Sequence, residues 1–249
     1  MTDQPNPPTN LVHPAQTRTT AQVKFADSRS YEASVKTELQ QYIRAAEADP
    51  PWLFENRTGK VAPEHRRLHR YQTMTNQEIM ALPVCDLALS KSHLYLWVPN
   101  ALVMTGLQVM EAWGFTYKTN LVWYKVRQDG GPDRRGVGFY FRNVTELVLF
   151  GVRGSLRTFQ PARSLPNIIV SRKREHSRKP DQLYDIIEQC SPAPYLELFA
   201  RTARPGWKAW GDESESYQPP DNLYARQSQE IGLRLFERDT ATSESAEHE

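Results

Sequence analysis

Ala48-Asp49-Pro50-Pro51-Trp52-Leu53-Phe54 closes an apolar-leaning run, Tyr42-Ile43-Arg44-Ala45-Ala46-Glu47-Ala48. The run reads as a strand, and the tetrapeptide Asp49 to Trp52 as what stands at its end. The two prolines lock φ, and Pro51 pushes Pro50 into an extended conformation. Neither proline offers a backbone N–H. What remains is one carboxylate, the carbonyl oxygens of Asp49 and Pro50, and the flat face of Trp52. A rigid acceptor cluster beside a π surface suits a planar group carrying an NH2, such as the exocyclic amine of adenine. Taken alone, the tetrapeptide reads equally as a turn followed by a core tryptophan.

Working outward, the chain alternates strand and helix signals. Thr75 with Glu78 makes a capping box at a helix start. Leu94 to Val98 is an apolar strand, and Asn100 is placed to cap the next helix. Val103, Leu107 and Met110 give that helix a buried stripe, and Gly114 ends it. Leu121 to Tyr124 is a strand, followed by a loop with Gly130, Gly131, Gly136 and Gly138. Thr145 to Phe150 and Asn167 to Val170 are further strands. Pro180 suits a first helical turn, with Leu183, Ile186, Ile187 and Cys190 as the apolar face behind it. Tyr195 to Phe199 and Lys208 to Gly211 are the last strands. This alternation predicts an α/β fold, a mostly parallel sheet with helices on both faces. Ligands in such sheets bind beyond the carboxyl ends of the strands. Asp49, Lys125 and the segment after Phe199 fall at that edge.

The ordered set Asp49-Pro50-Pro51-Trp52, Leu94-Tyr95-Leu96-Trp97-Val98, Leu121-Val122-Trp123-Tyr124-Lys125, His176-Ser177-Arg178-Lys179-Pro180-Asp181, Tyr195-Leu196-Glu197-Leu198-Phe199-Ala200-Arg201 and Gly206-Trp207-Lys208-Ala209-Trp210-Gly211 resembles the MT-A70 family of S-adenosylmethionine-dependent adenine-N6 methyltransferases, in its bacterial and phage-like branch. The resemblance covers roughly residues 40–215 and neither end of the chain. It implies a Rossmann-like methyltransferase fold in circularly permuted motif order, the catalytic tetrapeptide first and the cofactor strand late. It implies S-adenosylmethionine as cofactor, with Asp49, Pro50, Pro51 and Trp52 catalytic. For the cofactor it points to Lys179 against the methionine carboxylate. Asp49, Glu197, Phe199, Arg201, Asp212 and Glu213 complete that set. The family often carries Asn at the position of Asp212, so this chain departs there.

The chemistry needs little else. Adenine N6 is a poor nucleophile because its lone pair is delocalised into the ring. Acceptors on both amine hydrogens localise it, and a stacked aromatic holds the base in line. Glu197 inside an apolar strand is costly without a partner, so it pairs with Arg201 or lies near the cofactor. No metal is expected, since the six His form no ligand-spaced pair. The absence of Gly-x-Gly-x-x-Gly argues against a nucleotide dehydrogenase.

The expected polymer partner is nucleic acid, DNA ahead of RNA. A net charge of +2 is weak evidence, so distribution decides. Basic residues gather at Arg57, Lys60, Arg66, Arg67 and Arg70, then at Lys125, Arg134, Arg135 and Arg142, then from Arg172 to Lys179. Each stretch follows a strand and so shares one edge, which suits a polyanion. Residues 1–24 read as a disordered tail, 25–215 as the methyltransferase domain, and 216–249 as a polar tail. Cys85 and Cys190 match no zinc or redox spacing. With no apolar run of about 18 residues and no signal-like start, a cytoplasmic protein is expected, as a monomer or homodimer or beside a partner subunit. A non-catalytic, nucleic-acid-binding subunit is the competing class. An intact Asp49 to Trp52 speaks against it.

Overall fold

The computed structural model describes residues 43–53, 73–133, 140–174, 178–200 and 204–210. Within them the elements run β1 (Ile43–Ala48), α1 (Asn76–Met80), α2 (Val84–Leu87), β2 (Ala88–Val98), α3 (Val103–Ala112), β3 (Thr116–Val126), β4 (Thr145–Arg153), β5 (Ile168–Arg172), α4 (Gln182–Cys190), β6 (Tyr195–Leu198) and β7 (Trp207–Trp210). The strands form one sheet in the order β5-β3-β4-β2-β1-β6-β7. β4 runs antiparallel to both of its neighbours, and every other pairing is parallel. Six carboxyl ends therefore share one edge, and the amino end of β4 joins them there.

The helices cover both faces. On one, Ile79 of α1, Val84 and Leu87 of α2, and Val109 and Met110 of α3 pack on Ala46, Ala48, Leu94, Leu96 and Val98. On the other, Leu183 and Ile187 of α4 pack on Ala45, Tyr95, Trp97, Trp123, Val148 and Ile169. Alternate residues of β1 and β2 divide between the two clusters, as the period of two requires. β1 sits inside the sheet and is buried on both sides, which is why it is mostly alanine and isoleucine. α3 lies unusually close to the sheet. A Cβ at Gly106 would stand 2.6 Å from Val98 Cγ2, and one at Gly151 would stand 2.7 Å from Met110 Sδ.

The expected elements are present, with corrections at their ends. Thr75 makes the capping box with Glu78. Gly114 ends α3 at φ 80°. Asn100 does not cap α3: it opens a short 3-10 turn, and its amide donates to the carbonyl and hydroxyl of Thr145 on β4. The buried stripe of α3 is Gly106, Val109 and Met110, while Val103 and Leu107 are only half-buried, because the close contact at Gly106 turns the helix toward that side. β2 starts at Ala88 rather than Leu94. Its polar first half is tolerated because Ser90 and Lys91 are exposed, Ser92 donates to the Leu89 carbonyl, and His93 meets the Ser191 hydroxyl at 2.8 Å. No helix among the described residues is long and apolar enough to cross a membrane.

Candidate active site

Four charged side chains meet where the carboxyl ends converge. Asp49 follows β1 directly. Lys179 lies between β5 and α4, and its ammonium donates to both Asp49 oxygens at 2.8 and 2.9 Å. It also stands 3.5 Å from Glu146 Oε2. Glu146 reaches this edge because β4 runs opposite to its neighbours. Lys125, near the end of β3, donates to the other Glu146 oxygen. Carboxylate and ammonium thus alternate along Asp49, Lys179, Glu146 and Lys125. The indole of Trp97 lies under Lys179, 5.2 Å from ammonium to ring centre, and that of Trp123 under Lys125 at 4.7 Å.

Burial sets the electrostatics of this chain of charges. Burial pushes the Lys125 pKa down, and Glu146 works against that shift. Burial alone would raise the Glu146 carboxyl, but Lys179 and Lys125 outweigh it and hold it below the ordinary value.

The tetrapeptide does two things at once. Trp52 is 5% exposed and belongs to the core on the α3 face. Its indole N–H donates to the Trp97 carbonyl at 3.0 Å. A side chain with one face in the core holds the loop in place, so Trp52 has a packing role whatever else it meets. The Pro50 carbonyl accepts from Trp52 N at 2.8 Å, and the Pro51 carbonyl from Met74 N at 2.9 Å. Trp52 and Met74 are bridged, so the described chain on either side of 54–72 is fixed beside Asp49.

Lys125 lies within the described edge, paired rather than open. It is 5% exposed and engaged with Glu146, so no phosphate meets it without breaking that pair. Arg142 is exposed at the amino end of β4, beside Tyr140 and Phe141, which are 95% and 86% exposed. Phe199 adopts φ 65° at the carboxyl end of β6, a strained conformation for a bulky residue. Its ring packs edge-on against Trp210. Arg57, Lys60, Arg66, Arg67, Arg70, Arg134, Arg135, Arg201, Asp212 and Glu213 lie outside the described residues.

Glu197 occupies the middle of β6, and its register partner on β1 is Glu47. Both are buried. Burial, with Asp49 adding to it, pushes the Glu197 carboxyl up to about 7, while the Tyr184 hydroxyl offsets part of the rise. Glu47 is held well above the carboxylate range by burial and then by Glu197 and Asp49. Sequence reasoning missed Glu47, Glu146 and Tyr184. The signal for the two acids was available: each is a charged residue inside an apolar strand, the argument already applied to Glu197.

The model of the MT-A70 family matches residues 46–213. The chain belongs to the MT-A70 family. A putative N(6)-adenosine-methyltransferase MT-A70-like protein of Medicago truncatula is 32% identical over 170 residues, which are 67% of this chain and 25% of that one. The human N(6)-adenosine-methyltransferase catalytic subunit METTL3 is 30% identical over 170 residues, 67% of this chain and 27% of its own. The type II methyltransferase M.MunI of Mycoplasma sp is 29% identical over 191 residues, 70% of this chain and 77% of its own. The chain thus spans about a quarter of the plant and human relatives and most of the mycoplasmal one. Asp49, Glu146, Lys179 and the Glu47–Glu197 pair all fall inside the MT-A70 match. Among the described residues no cluster of His, Cys, Asp and Glu could hold a metal ion.

Proposed function

We propose that this chain transfers a methyl group to N6 of adenine in nucleic acid, with S-adenosylmethionine as donor. The observation that carries the reading is the Asp49 carboxylate, fixed at the end of a central strand by Lys179 and followed by two prolines that offer no N–H to compete with a substrate amine. Asp49 accepts one amine hydrogen of the target base. The Pro50 carbonyl, with one lone pair given to Trp52 N–H, accepts the other with its second. The cofactor, when bound, supplies an electrophilic methyl on sulfur. Orienting the amine toward it needs no strong base beforehand, because the N–H becomes acidic only as the new bond forms. Asp49 then takes that proton or passes it to water.

The residues present fit the cofactor. The Oε2 atom of Glu197 is buried without a hydrogen-bond partner, and an orphaned acceptor of this kind suits a ribose hydroxyl. Glu197 stands in the carboxyl half of β6, just before the strained Phe199. Arg201, Asp212 and Glu213 follow in sequence and are assigned to the same ligand. Lys179 donates to Asp49 and lies 3.5 Å from Glu146, and its ammonium is assigned to the methionine carboxylate. Lys179→Ala should weaken S-adenosylmethionine binding by about 1–3 kcal/mol, the scale of a charged hydrogen bond. Calorimetry showing unchanged affinity would leave Lys179 as the counter-ion of Asp49 alone.

We favour DNA over RNA, because the chain matches the plan of a compact type II methyltransferase along most of its length and only a quarter of the adenosine enzymes. A base inside a duplex must flip out to reach Asp49. The basic stretch from Arg57 to Arg70, which falls between Trp52 and Met74 in the sequence, is assigned to phosphates. Replacing Arg66 and Arg67 together with Ala should flatten the salt dependence of binding by about one to two charges' worth of slope, without altering cofactor affinity. Anisotropy on a fluorescent oligonucleotide reads this, and an unaltered slope means these arginines only solvate the loop. The proposal as a whole is tested by incubating the full chain with labelled S-adenosylmethionine and duplex DNA, single-stranded DNA, duplex RNA or single-stranded RNA. Transfer to DNA supports the reading, transfer to RNA alone moves the substrate, and transfer to none removes the enzyme.

A further inference from the structure

Two glutamates face each other across a pair of parallel strands in the middle of a sheet. Glu47 of β1 and Glu197 of β6 are register partners, 3% and 8% exposed. Neighbouring strands lie about 4.8 Å apart, so the two carboxyls are within reach of each other. Both point to the face covered by α4, because the alternate positions, Ala46 and Ala48 on β1 and Leu196 and Leu198 on β6, belong to the opposite core. Each leaves its Oε2 without a partner.

Among the described residues, the groups acting on the pair do not supply two unshared positive charges. The turn after β1 contributes Asp49, an added negative charge. The segment before α4 contributes Lys179, already bound to Asp49, and Asp181, and α4 contributes the Tyr184 hydroxyl. β2 contributes the Trp97 indole, and the segment before β7 contributes Arg204, which is shared with Asp185 and Glu188. Two like charges at this separation in a dry interior do not both ionise. One proton between them gives each a partner: the protonated acid donates, and the ionised oxygen that accepts keeps a second lone pair for a ligand hydroxyl.

We propose that Glu47 is a positioning residue of the cofactor site, a neutral carboxylic acid whose O–H donates to Glu197 and keeps that carboxylate ionised and aimed at the cofactor's ribose hydroxyls. Glu197 is the member that ionises, because it has the Tyr184 hydroxyl as a second donor and Arg204 as a nearby cation. Its titration close to 7 makes the cofactor site sensitive to pH in the neutral range. The two acids titrate as a pair, and removing either changes the other.

The proposal rests on Glu197 belonging to the cofactor site, and the experiment separates the two claims. Cofactor affinity is measured by calorimetry from pH 6 to 9 for the full chain, Glu47→Gln, Glu47→Met and Glu197→Gln. The wild type should bind more tightly as pH rises through about 7 and then level off. Glu47→Gln keeps a donor and should keep that profile. Glu47→Met fills the same volume without a donor, so its midpoint should move up by about one unit, with roughly fivefold weaker binding at pH 7 that recovers by pH 9. A Glu47→Met profile equal to wild type, while Glu197→Gln binds weakly, overturns the role of Glu47 alone. Unchanged affinity in Glu197→Gln overturns the assignment of Glu197 to the cofactor. Thermal melts give a second readout. Both glutamates hold a proton in the folded chain above their unfolded pKa of about 4.3, so wild-type stability falls as pH rises from there. Glu47→Met should flatten that fall, and an equally steep one contradicts the buried neutral acid.

Discussion

Asp49→Ala should lower methyl transfer by about 10²–10³-fold or more, the scale for removing one fixed acceptor or donor aimed at the reacting centre. Its fold should survive. Asp49 is not fully buried, and Lys179 keeps Glu146 at 3.5 Å when the aspartate is gone. Glu146 already carries a second ammonium from Lys125, so the charges that remain are balanced closely enough to hold the edge together. Asp49→Asn is the sharper variant. It preserves shape and offers one acceptor, but replaces the other oxygen with a donor facing Lys179. Transfer should fall nearly as far as in the alanine variant, with Lys179 freed to move. Single-turnover assays with saturating cofactor read the loss directly. Residual activity within tenfold of wild type in Asp49→Ala would remove the carboxylate from the chemistry.

Trp52→Ala should destabilise the chain by about 3–5 kcal/mol, the usual range for emptying a buried tryptophan site. For a domain of this size that is on the order of 10 °C in melting temperature. Two losses combine. The side chain leaves the core shared with Leu94, Leu96 and Trp210, and the Trp97 carbonyl loses its indole donor. Trp52→Phe keeps most of the packing and loses the donor, so it should cost about 1 kcal/mol. If Trp52 served only to stack on a base, the alanine variant would melt with the wild type and fail in catalysis. A melting temperature within about 2 °C of wild type would therefore reverse the structural assignment. The measurement matters because the same tetrapeptide is asked to fold the chain and to hold the substrate.

That double duty marks where the sequence was legible and where it was not. The strand–helix alternation and the shared carboxyl edge follow from local pattern, since a period of two or of 3.6 is written in each segment separately. The Thr75–Glu78 box is read the same way, because both partners lie within one turn. Strand lengths were misjudged where polar residues are rescued by distant partners: His93 in β2 is satisfied by Ser191, 98 residues away. Asn100 looked like a helix cap, yet its amide is spent on Thr145 across the sheet, a contact no local window contains. The site divides in the same way. Asp49 and Lys179 stood out as members of motifs, but their ion pair joins residues 130 apart in the chain. Lys125 looked like one more basic loop residue. Only the reversed direction of β4, which brings Glu146 beside it, shows that it is buried and paired. Glu47 is the instructive omission. An acid inside an alanine-rich central strand carries the same desolvation cost that drew attention to Glu197, and the prominence of the prolines just after it hid the anomaly.

The central claim is the position of the transferred methyl group. Duplex DNA incubated with the full chain and a cofactor bearing a deuterated methyl group can be digested to nucleosides and resolved by mass spectrometry against authentic standards. The arrangement of Asp49, Pro50 and Lys179 predicts label on N6 of deoxyadenosine, lost in parallel with Asp49→Ala. Label on N1 of adenine or on cytosine, or label that persists in Asp49→Ala, would contradict it.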